Sequence, residues 1–447
     1  MMANLVFDVG VIGAGPAGLA AAADLRAAGK SVVVIENYLW GGTCPNYGCD
    51  PKKILLAAVE AKEKAQALNG LGVQGELRLD WSQMMARKNQ FTNAMPARTQ
   101  ASLTSSDITQ ISGQAQFIDA KTVTILQQNT TVQATDWIIS VGQRAAELAI
   151  PGGEYAIDYE KFMNLATLPD EIVIIGGGYI AFEFAAIAAG VGAHVTMLVR
   201  GERVLSNFDE ELARELAAQL TLRGVTILYQ TEVKAITKSN AQFELELSTD
   251  TTLTTNLVVR AIGRIGNHDR LNLAATGVET QTGGVVVDQH LQTAAPHLYA
   301  VGDVAQSPVP KLTTTGYYEG RAVAQQILGH HEPVTYPAIP EIVYATPKLA
   351  QVGVTTAQAA TDQTLRMVDL NMTDWFTYYR VGEKAAHAKV ILAENDQIVG
   401  ATVLSHEADE LINSLTDAVN AGADYQAMRN KLYAYPTVAS DLEYFFG

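Results

Sequence analysis

Two stretches of this chain repeat one order of apolar and small residues. Phe7-Asp8-Val9-Gly10-Val11-Ile12 is a short, mostly apolar run that leads into closely spaced glycines, an alanine-rich stretch and a second apolar run, Ser31 to Ile35. Short apolar runs bounded by turn residues predict buried strands, and the alanine-rich stretch predicts a helix. The order strand, glycine turn, helix, strand returns at Glu171-Ile172-Val173-Ile174-Ile175, closing with the run His194 to Val199. Beyond about residue 336 the pattern changes to strand-like runs such as Ala388 to Leu392 beside a helical stretch, Glu407 to Ala421. No uninterrupted apolar run reaches membrane-spanning length. The apolar N-terminus, Leu5 to Leu25, lacks a basic leader and contains Asp8, so it reads as folded protein rather than a signal peptide.

The glycines between the elements carry chemistry. In Gly13-Ala14-Gly15-Pro16-Ala17-Gly18 the first glycine permits a tight turn, the second lets a pyrophosphate approach the backbone, and the third lets helix and strand pack closely. Glu36, 23 residues after Gly13, ends the second strand where it would accept hydrogen bonds from a ribose diol. The second copy reads Gly176-Gly177-Gly178-Tyr179-Ile180-Ala181, with alanine at the third glycine position, and Arg200 stands at the end of its second strand with Arg203 close behind. An acid there would repel a 2′-phosphate and a guanidinium would bind one, so this copy is expected to take NADP rather than NAD.

Composition then narrows the function. The 447 residues carry a formal charge of −16, which argues against nucleic acid or an anionic membrane as partner. The only two cysteines stand five positions apart, in Gly41-Gly42-Thr43-Cys44-Pro45-Asn46-Tyr47-Gly48-Cys49-Asp50-Pro51-Lys52-Lys53. They are too few for a disulfide scaffold or a four-ligand zinc site, and no metal site is expected. Asp50 as N-cap and Pro51 as first helical residue would open a helix here, and the dipole with Lys52 and Lys53 would favour a thiolate. A nucleophilic dithiol beside two nucleotide folds implies a relay, with a mobile hydride donor, NADPH, and a fixed flavin that passes electrons to sulfur. A cysteine pair that cycles fits a reducing cytoplasm.

With these segments in hand, the chain resembles the pyridine nucleotide-disulfide oxidoreductases of the glutathione reductase and lipoamide dehydrogenase type over essentially its whole length. Ser140-Val141-Gly142, which departs from the family's usual Ala-Thr-Gly, Ala261-Ile262-Gly263-Arg264, the run Thr293 to Val304, Lys311-Leu312-Thr313 and Glu319-Gly320-Arg321 follow in the family's order. The resemblance implies an α/β fold class, with two Rossmann-like dinucleotide-binding domains for FAD and NAD(P) plus a C-terminal α+β dimerisation domain. The implied spans are 1–150 and 266–335 for the two FAD-binding pieces, 151–265 for the NAD(P)-binding domain and 336–447 for the dimerisation domain of a homodimer. It implies an NADPH-dependent reductase of a small-molecule disulfide, with Cys44 as interchange thiol and Cys49 as the thiolate against the flavin. Gly13, Gly15, Pro16, Ala17, Gly18, Glu36, Gly42, Thr43, Lys52, Lys53, Ala115, Gly142, Asp303 and Thr313 would hold FAD. Gly176, Gly178, Tyr179, Ile180, Glu183, Arg200, Arg203 and Gly263 would hold NADP. Lys52 would pair with Glu183, and Tyr179 would cover the nicotinamide pocket.

The chain departs from the family at its tail. Where the family has His-Pro-Thr-x-x-Glu, this sequence has Tyr435-Pro436-Thr437-Val438-Ala439-Ser440. A phenol, with a pKa near about 10, donates a proton but accepts one poorly at neutral pH. Tyr435 reads either as a proton donor or as packing. Ala23 stands where glutathione reductases place a substrate-binding arginine, while Arg321 occupies the other such position, so the expected affinity for glutathione disulfide is reduced and the substrate is left as a small disulfide. A second reading sends the same electrons to a non-disulfide acceptor such as a metal ion, a quinone or an oxidant. A third, a redox sensor without catalysis, has no use for two intact nucleotide fingerprints.

Overall fold

A computed structural model describes residues 3–445 of the chain, so the outermost residues of the first and last expected spans, 1–2 and 446–447, lie outside the described residues. The chain divides into two compact units: residues 1–51, 87–146 and 263–335 form the first, and residues 52–86, 147–262 and 336–447 the second.

The first unit is built on a sheet whose strands run in the order Thr109–Ser112, β2 (Val32–Glu36), β1 (Ala3–Ile12), Thr130–Ile139, Thr122–Ile125, Ala115–Phe117. β1 lies parallel to β2, with Val9 opposite Val32 and Ile12 opposite Ile35, and Leu298–Ala300 adds a parallel strand beside Thr130–Ile139. Val9, Val11, Val33, Val34 and Ile35 are wholly buried, as the continuous apolar runs of a parallel sheet covered on both faces require. Helix α1 (Pro16–Ala27) follows β1 through the glycine turn, with proline in its first position, where the missing N–H is no loss.

The second unit holds a parallel sheet in the order Val225–Leu228, His194–Leu198, Glu171–Ile175, Leu257–Arg260, a three-stranded antiparallel sheet within residues 233–255, and a five-stranded antiparallel sheet within residues 341–405. The long helix Ala408–Asn420 buries Leu411, Ile412 and Leu415 together with Val390 and Val403 of that last sheet.

Residues 52–86 go with the second unit, not with the remainder of the span 1–150. The reason is packing. Leu55, Leu56, Val59, Trp81, Met84 and Met85 share one buried cluster with Phe182 and Phe184 of the helix Tyr179–Val191. Gly190 makes room for this: a Cβ there would meet Val59 Cγ1 at 2.5 Å. Among the described residues no helix is long and apolar enough to cross a membrane.

Candidate functional site

The cysteines occupy a bent helical segment of the first unit. Helix α2 (Thr43–Tyr47) carries Cys44, and helix α3 (Cys49–Ala67) begins at Cys49 itself. The expected start at Asp50 and Pro51 is therefore displaced: Asp50 sits within the first turn, and Pro51 at the third position is tolerated because its missing N–H belongs to the unpaired first turn. Gly48 forms the bend between the two helices. A Cβ on it would meet the Thr43 carbonyl oxygen at 2.9 Å, so only glycine lets the two sulfurs come together.

Both cysteines are present as thiols, Cys44 half-buried and Cys49 exposed. A hydrogen bond with Cys49, reinforced by burial, pushes the Cys44 thiol far up. Its Sγ lies 3.8 Å from Asp50 Oδ1. Thr313, the first residue of the helix Thr313–Ile327, sets its Oγ1 3.4 Å from Cys49 Sγ. Thr313, expected among the flavin ligands, thus touches sulfur.

The first glycine turn has the geometry of a phosphate cradle. Gly13 has φ of +106°, and a Cβ there would strike the Ser140 carbonyl oxygen at 2.4 Å. Ser140, where the family has alanine, donates its hydroxyl to the carbonyls of Ile12 at 3.0 Å and Gly13 at 2.8 Å, tying the turn to the neighbouring strand. A Cβ on Gly15 would have only Gly42 Cα near it, at 3.9 Å, and one on Gly142 would meet nothing within 4 Å. No side chain caps the N-terminus of α1, so its first amides are available to an anion. Glu36 is already engaged: Oε2 accepts the Ala14 amide at 2.7 Å and Oε1 the Tyr38 amide at 2.8 Å. Burial raises its pKa against those two bonds. Asp303 is ion-paired with Arg264, and Glu319 accepts the Gly302 amide at 2.6 Å. Ala115 is buried in the strand Ala115–Phe117.

The second unit holds the other fingerprint. Gly176, with φ of +138°, abuts the Ala261 carbonyl oxygen, which a Cβ would meet at 2.3 Å. A Cβ on Gly178 would meet nothing within 4 Å, and the helix Tyr179–Val191 has no side-chain cap. Tyr179 at its start is 38% exposed and Ile180 half-buried, while Glu183, one turn in, is buried to 2%. Glu183 Oε2 lies 2.6 Å from Lys52 Nζ and Oε1 3.3 Å from Lys53 Nζ, with the Tyr344 amide donating to Oε1 at 3.1 Å. Burial opposes the charge, yet the two lysines and that amide outweigh it and hold the carboxyl below its usual range. Lys52 Nζ also stands 5.3 Å from the centroid of the Tyr179 ring, and Lys53 Nζ 3.7 Å from that of Tyr344.

Arg200 and Arg203 differ in their surroundings. Arg200 is exposed, and among the described residues no acidic side chain pairs with it. Arg203 is ion-paired with Glu210 at 3.2 Å, and Glu210 also takes Arg214 at 2.6 Å, all three lining a cleft of about 220 Å³ with Tyr229. Gly263, in the first unit, has nothing within 4 Å of its missing Cβ. In the tail Tyr435 is 70% exposed, while Ser440 is buried in a reciprocal cap with Thr437 and so does not replace the family's glutamate.

Comparison with known proteins agrees with this geometry. Residues 7–320 match the pyridine nucleotide-disulphide oxidoreductase model, and residues 339–444 match that family's dimerisation domain. The chain belongs to this family. It is 30% identical to a glutathione reductase of Burkholderia cepacia over 97% of each chain. It is 29% identical to a dihydrolipoyl dehydrogenase of Geobacillus stearothermophilus over 96% of this chain and 93% of that one. Among solved structures, the Cu(II) complex of the HOCl-induced flavoprotein disulfide reductase RclA from Escherichia coli superposes with a TM-score of 0.90 at 27% identity, covering 98% of both chains. The protein is a flavoprotein disulfide oxidoreductase, and its family uses FAD and a pyridine nucleotide. The open space at Gly15, Gly142 and Gly178 and the two uncapped helix starts fit both dinucleotides. Among the described residues no group of three His, Cys, Asp or Glu side chains is placed to hold a metal ion.

Two features of the site were not drawn from the sequence: Ser140 as a tether and Glu319 as a backbone acceptor are settled by contacts distant in sequence.

Proposed function

We propose that this protein is an NADPH-dependent, FAD-containing reductase of a small-molecule disulfide, working as a cytoplasmic homodimer. The observation that carries the reading is the dithiol itself: Cys44 and Cys49 on either side of the Gly48 bend, with Thr313 Oγ1 3.4 Å from Cys49 Sγ. A flavin, when bound, accepts hydride from the pyridine nucleotide and returns the electron pair to sulfur. The chain's own residues do the rest. Gly13 to Gly18, Gly42, Thr43, Gly142 and Asp303 would hold the flavin cofactor. Glu183 fixes Lys52 and Lys53 at ion-pair distance. Tyr179 gates the nicotinamide pocket, and Arg200 supports the preference for NADPH. The domain spans proposed are 1–150 with 266–335 for FAD, 151–265 for NADP and 336–447 for dimerisation, with 52–86 docked on the second unit.

Arg321 on the helix Thr313–Ile327 favours a disulfide that carries an anionic group. Ala23 removes one such contact, worth roughly 1–3 kcal/mol, and argues against glutathione disulfide. The test is anaerobic NADPH oxidation by the flavoprotein with cystine, coenzyme A, lipoamide and glutathione disulfides. Turnover with one of them above roughly 10⁴ M⁻¹s⁻¹ names the substrate, and no turnover with any disulfide refutes the reading.

A second reading, electron delivery to copper(II) or a quinone, is favoured by one observation. Tyr435, exposed where the family has its histidine, is a phenol in place of the family's donor for a leaving thiolate, and such acceptors release no thiolate to protonate. The copper complex of the structurally similar RclA points the same way. Turnover with copper(II) or quinones alone would select it.

A further inference from the structure

The tail without a histidine leaves the proton of the disulfide step without an obvious carrier, and the first unit offers one. The helix Thr313–Ile327 buries Gly316, Glu319 and Gly320 on one side. That side lies against α1, where a Cβ on Gly320 would meet the Ala17 carbonyl oxygen at 2.1 Å and one on Gly316 the Ala17 Cβ at 3.4 Å. Thr313, Tyr317 and Arg321 follow at intervals of four and share another face of the same helix. Thr313 begins that row in contact with Cys49 Sγ, at 3.4 Å. One turn on, the Tyr317 ring is 42% exposed, open to a ligand arriving at the sulfurs.

We propose that Tyr317 is the proton relay of the disulfide half-reaction, its hydroxyl lying between Cys44 and the departing substrate sulfur. The inference rests on the disulfide-reductase reading. As Cys44 Sγ attacks one sulfur of the substrate, its proton passes to the Tyr317 oxygen while the Tyr317 hydroxyl proton passes to the sulfur that leaves. The substrate S–S bond breaks, a mixed disulfide on Cys44 forms, and the phenol is neutral before and after. Cys49, as thiolate, then attacks Cys44 Sγ, closing the Cys44–Cys49 disulfide. The second substrate sulfur leaves as thiolate and takes a proton from water. Two electrons have moved from the dithiol to the substrate.

The surroundings suit a relay. Burial, Cys44 and Asp50 raise the Tyr317 phenol, while Arg321 opposes them, so the hydroxyl is protonated at neutral pH. Cys44 from α2, Asp50 from α3 and Arg321 from its own helix are the titratable groups that face it.

The test uses the flavin-loaded protein and separates the two half-reactions by stopped flow. In Tyr317→Phe, reoxidation of the NADPH-reduced enzyme by its disulfide is expected to slow roughly 100-fold, with loss of the solvent deuterium effect, while reduction by NADPH keeps its rate. Tyr318→Phe, which loses only a hydroxyl bonded to the Thr335 carbonyl at 2.5 Å, is expected to stay within about twofold of wild type. Iodoacetamide labelling of Cys44 in the dithiothreitol-reduced protein, followed by peptide mapping, gives a second readout: the variant should label several-fold more slowly near pH 8, because it lacks the hydroxyl that takes up the Cys44 proton as the sulfur attacks. Unchanged reoxidation in Tyr317→Phe, or the same loss found in Tyr435→Phe instead, overturns the relay. Failure of wild-type reduced enzyme to react with any disulfide overturns the reductase reading and the relay with it.

Discussion

Replacing Arg200 by glutamate should reverse the proposed preference for NADPH over NADH. Arg200 is exposed beyond the end of the strand His194–Leu198, where the ribose of a nucleotide bound to the second fingerprint is expected. A charge-assisted hydrogen bond from its guanidinium to a 2′-phosphate contributes about 1.5–3 kcal/mol. A carboxylate in its place adds repulsion of about 1–1.5 kcal/mol, taking a phosphate charge near −1.5 to −2 about 5 Å away in water. The sum, roughly 2.5–4.5 kcal/mol, corresponds to a change of about 10²- to 10³-fold in the ratio of kcat/KM for NADPH over NADH. Part of the change should be a gain with NADH, since a carboxylate there accepts the ribose diol. Arg203→Glu should change the ratio less than about tenfold, because Glu210 already holds Arg203 at 3.2 Å and neutralises it. The assay is steady-state NADPH and NADH oxidation with the preferred acceptor at low and high salt, and the wild-type NADPH advantage should shrink as salt rises. A ratio changed by less than about fivefold in Arg200→Glu, or a larger effect from Arg203→Glu, would refute the reasoning.

Other outcomes follow from the same contacts. Glu183→Gln leaves the buried Lys52 without its carboxylate partner 2.6 Å away and should cost about 3–5 kcal/mol, read as a lowered melting temperature at pH 7. The Glu183 carboxyl is depressed in the folded state, so its contribution is present above its unfolded value and lost as pH falls through the folded one; the deficit of the variant should close in acid. His387 is raised to about 9, by its bond to Glu215 and, against burial, by Asp369. Its contribution is therefore complete below its unfolded value, about 6.5, and is lost as pH rises toward about 9, so the melting temperatures of wild type and His387→Asn should converge above that pH. Gly320→Ala drives a methyl group to 2.1 Å from the Ala17 carbonyl oxygen; the protein should lose roughly 2–4 kcal/mol and purify with less flavin, and full flavin content would count against the assigned packing.

The glycine turns were legible because their backbone leaves no alternative. Gly13 and Gly176 both combine a positive φ with a carbonyl oxygen too close for any Cβ, that of Ser140 in one case and Ala261 in the other. The strands around them were read to within a few residues, since each is a buried apolar run: Val32–Glu36 against an expected Ser31 to Ile35, and His194–Leu198 against His194 to Val199. The start of α3 was misplaced because Asp50 and Pro51 carry the composition of a helix start, yet both also fit the interior of a first turn. The docking of residues 52–86 on the second unit was hidden, as it depends on Val59 meeting the gap at Gly190, 131 positions away. So was the neutralisation of Arg203, since nothing in Gly201-Glu202-Arg203 says which way a long side chain will turn. The Lys52–Glu183 pairing came from family resemblance alone; no local pattern joins residues so far apart.

The central claim is that the pyridine nucleotide reduces a disulfide formed by Cys44 and Cys49. The direct measurement is anaerobic thiol labelling of the air-oxidised flavoprotein with iodoacetamide before and after one equivalent of NADPH, read by peptide mapping at residues 44 and 49. The account predicts no label at either cysteine before NADPH and label at the pair afterwards, with an accompanying change in flavin absorbance. Equal labelling without NADPH, or a flavin reduced while the cysteines stay unlabelled, would contradict it.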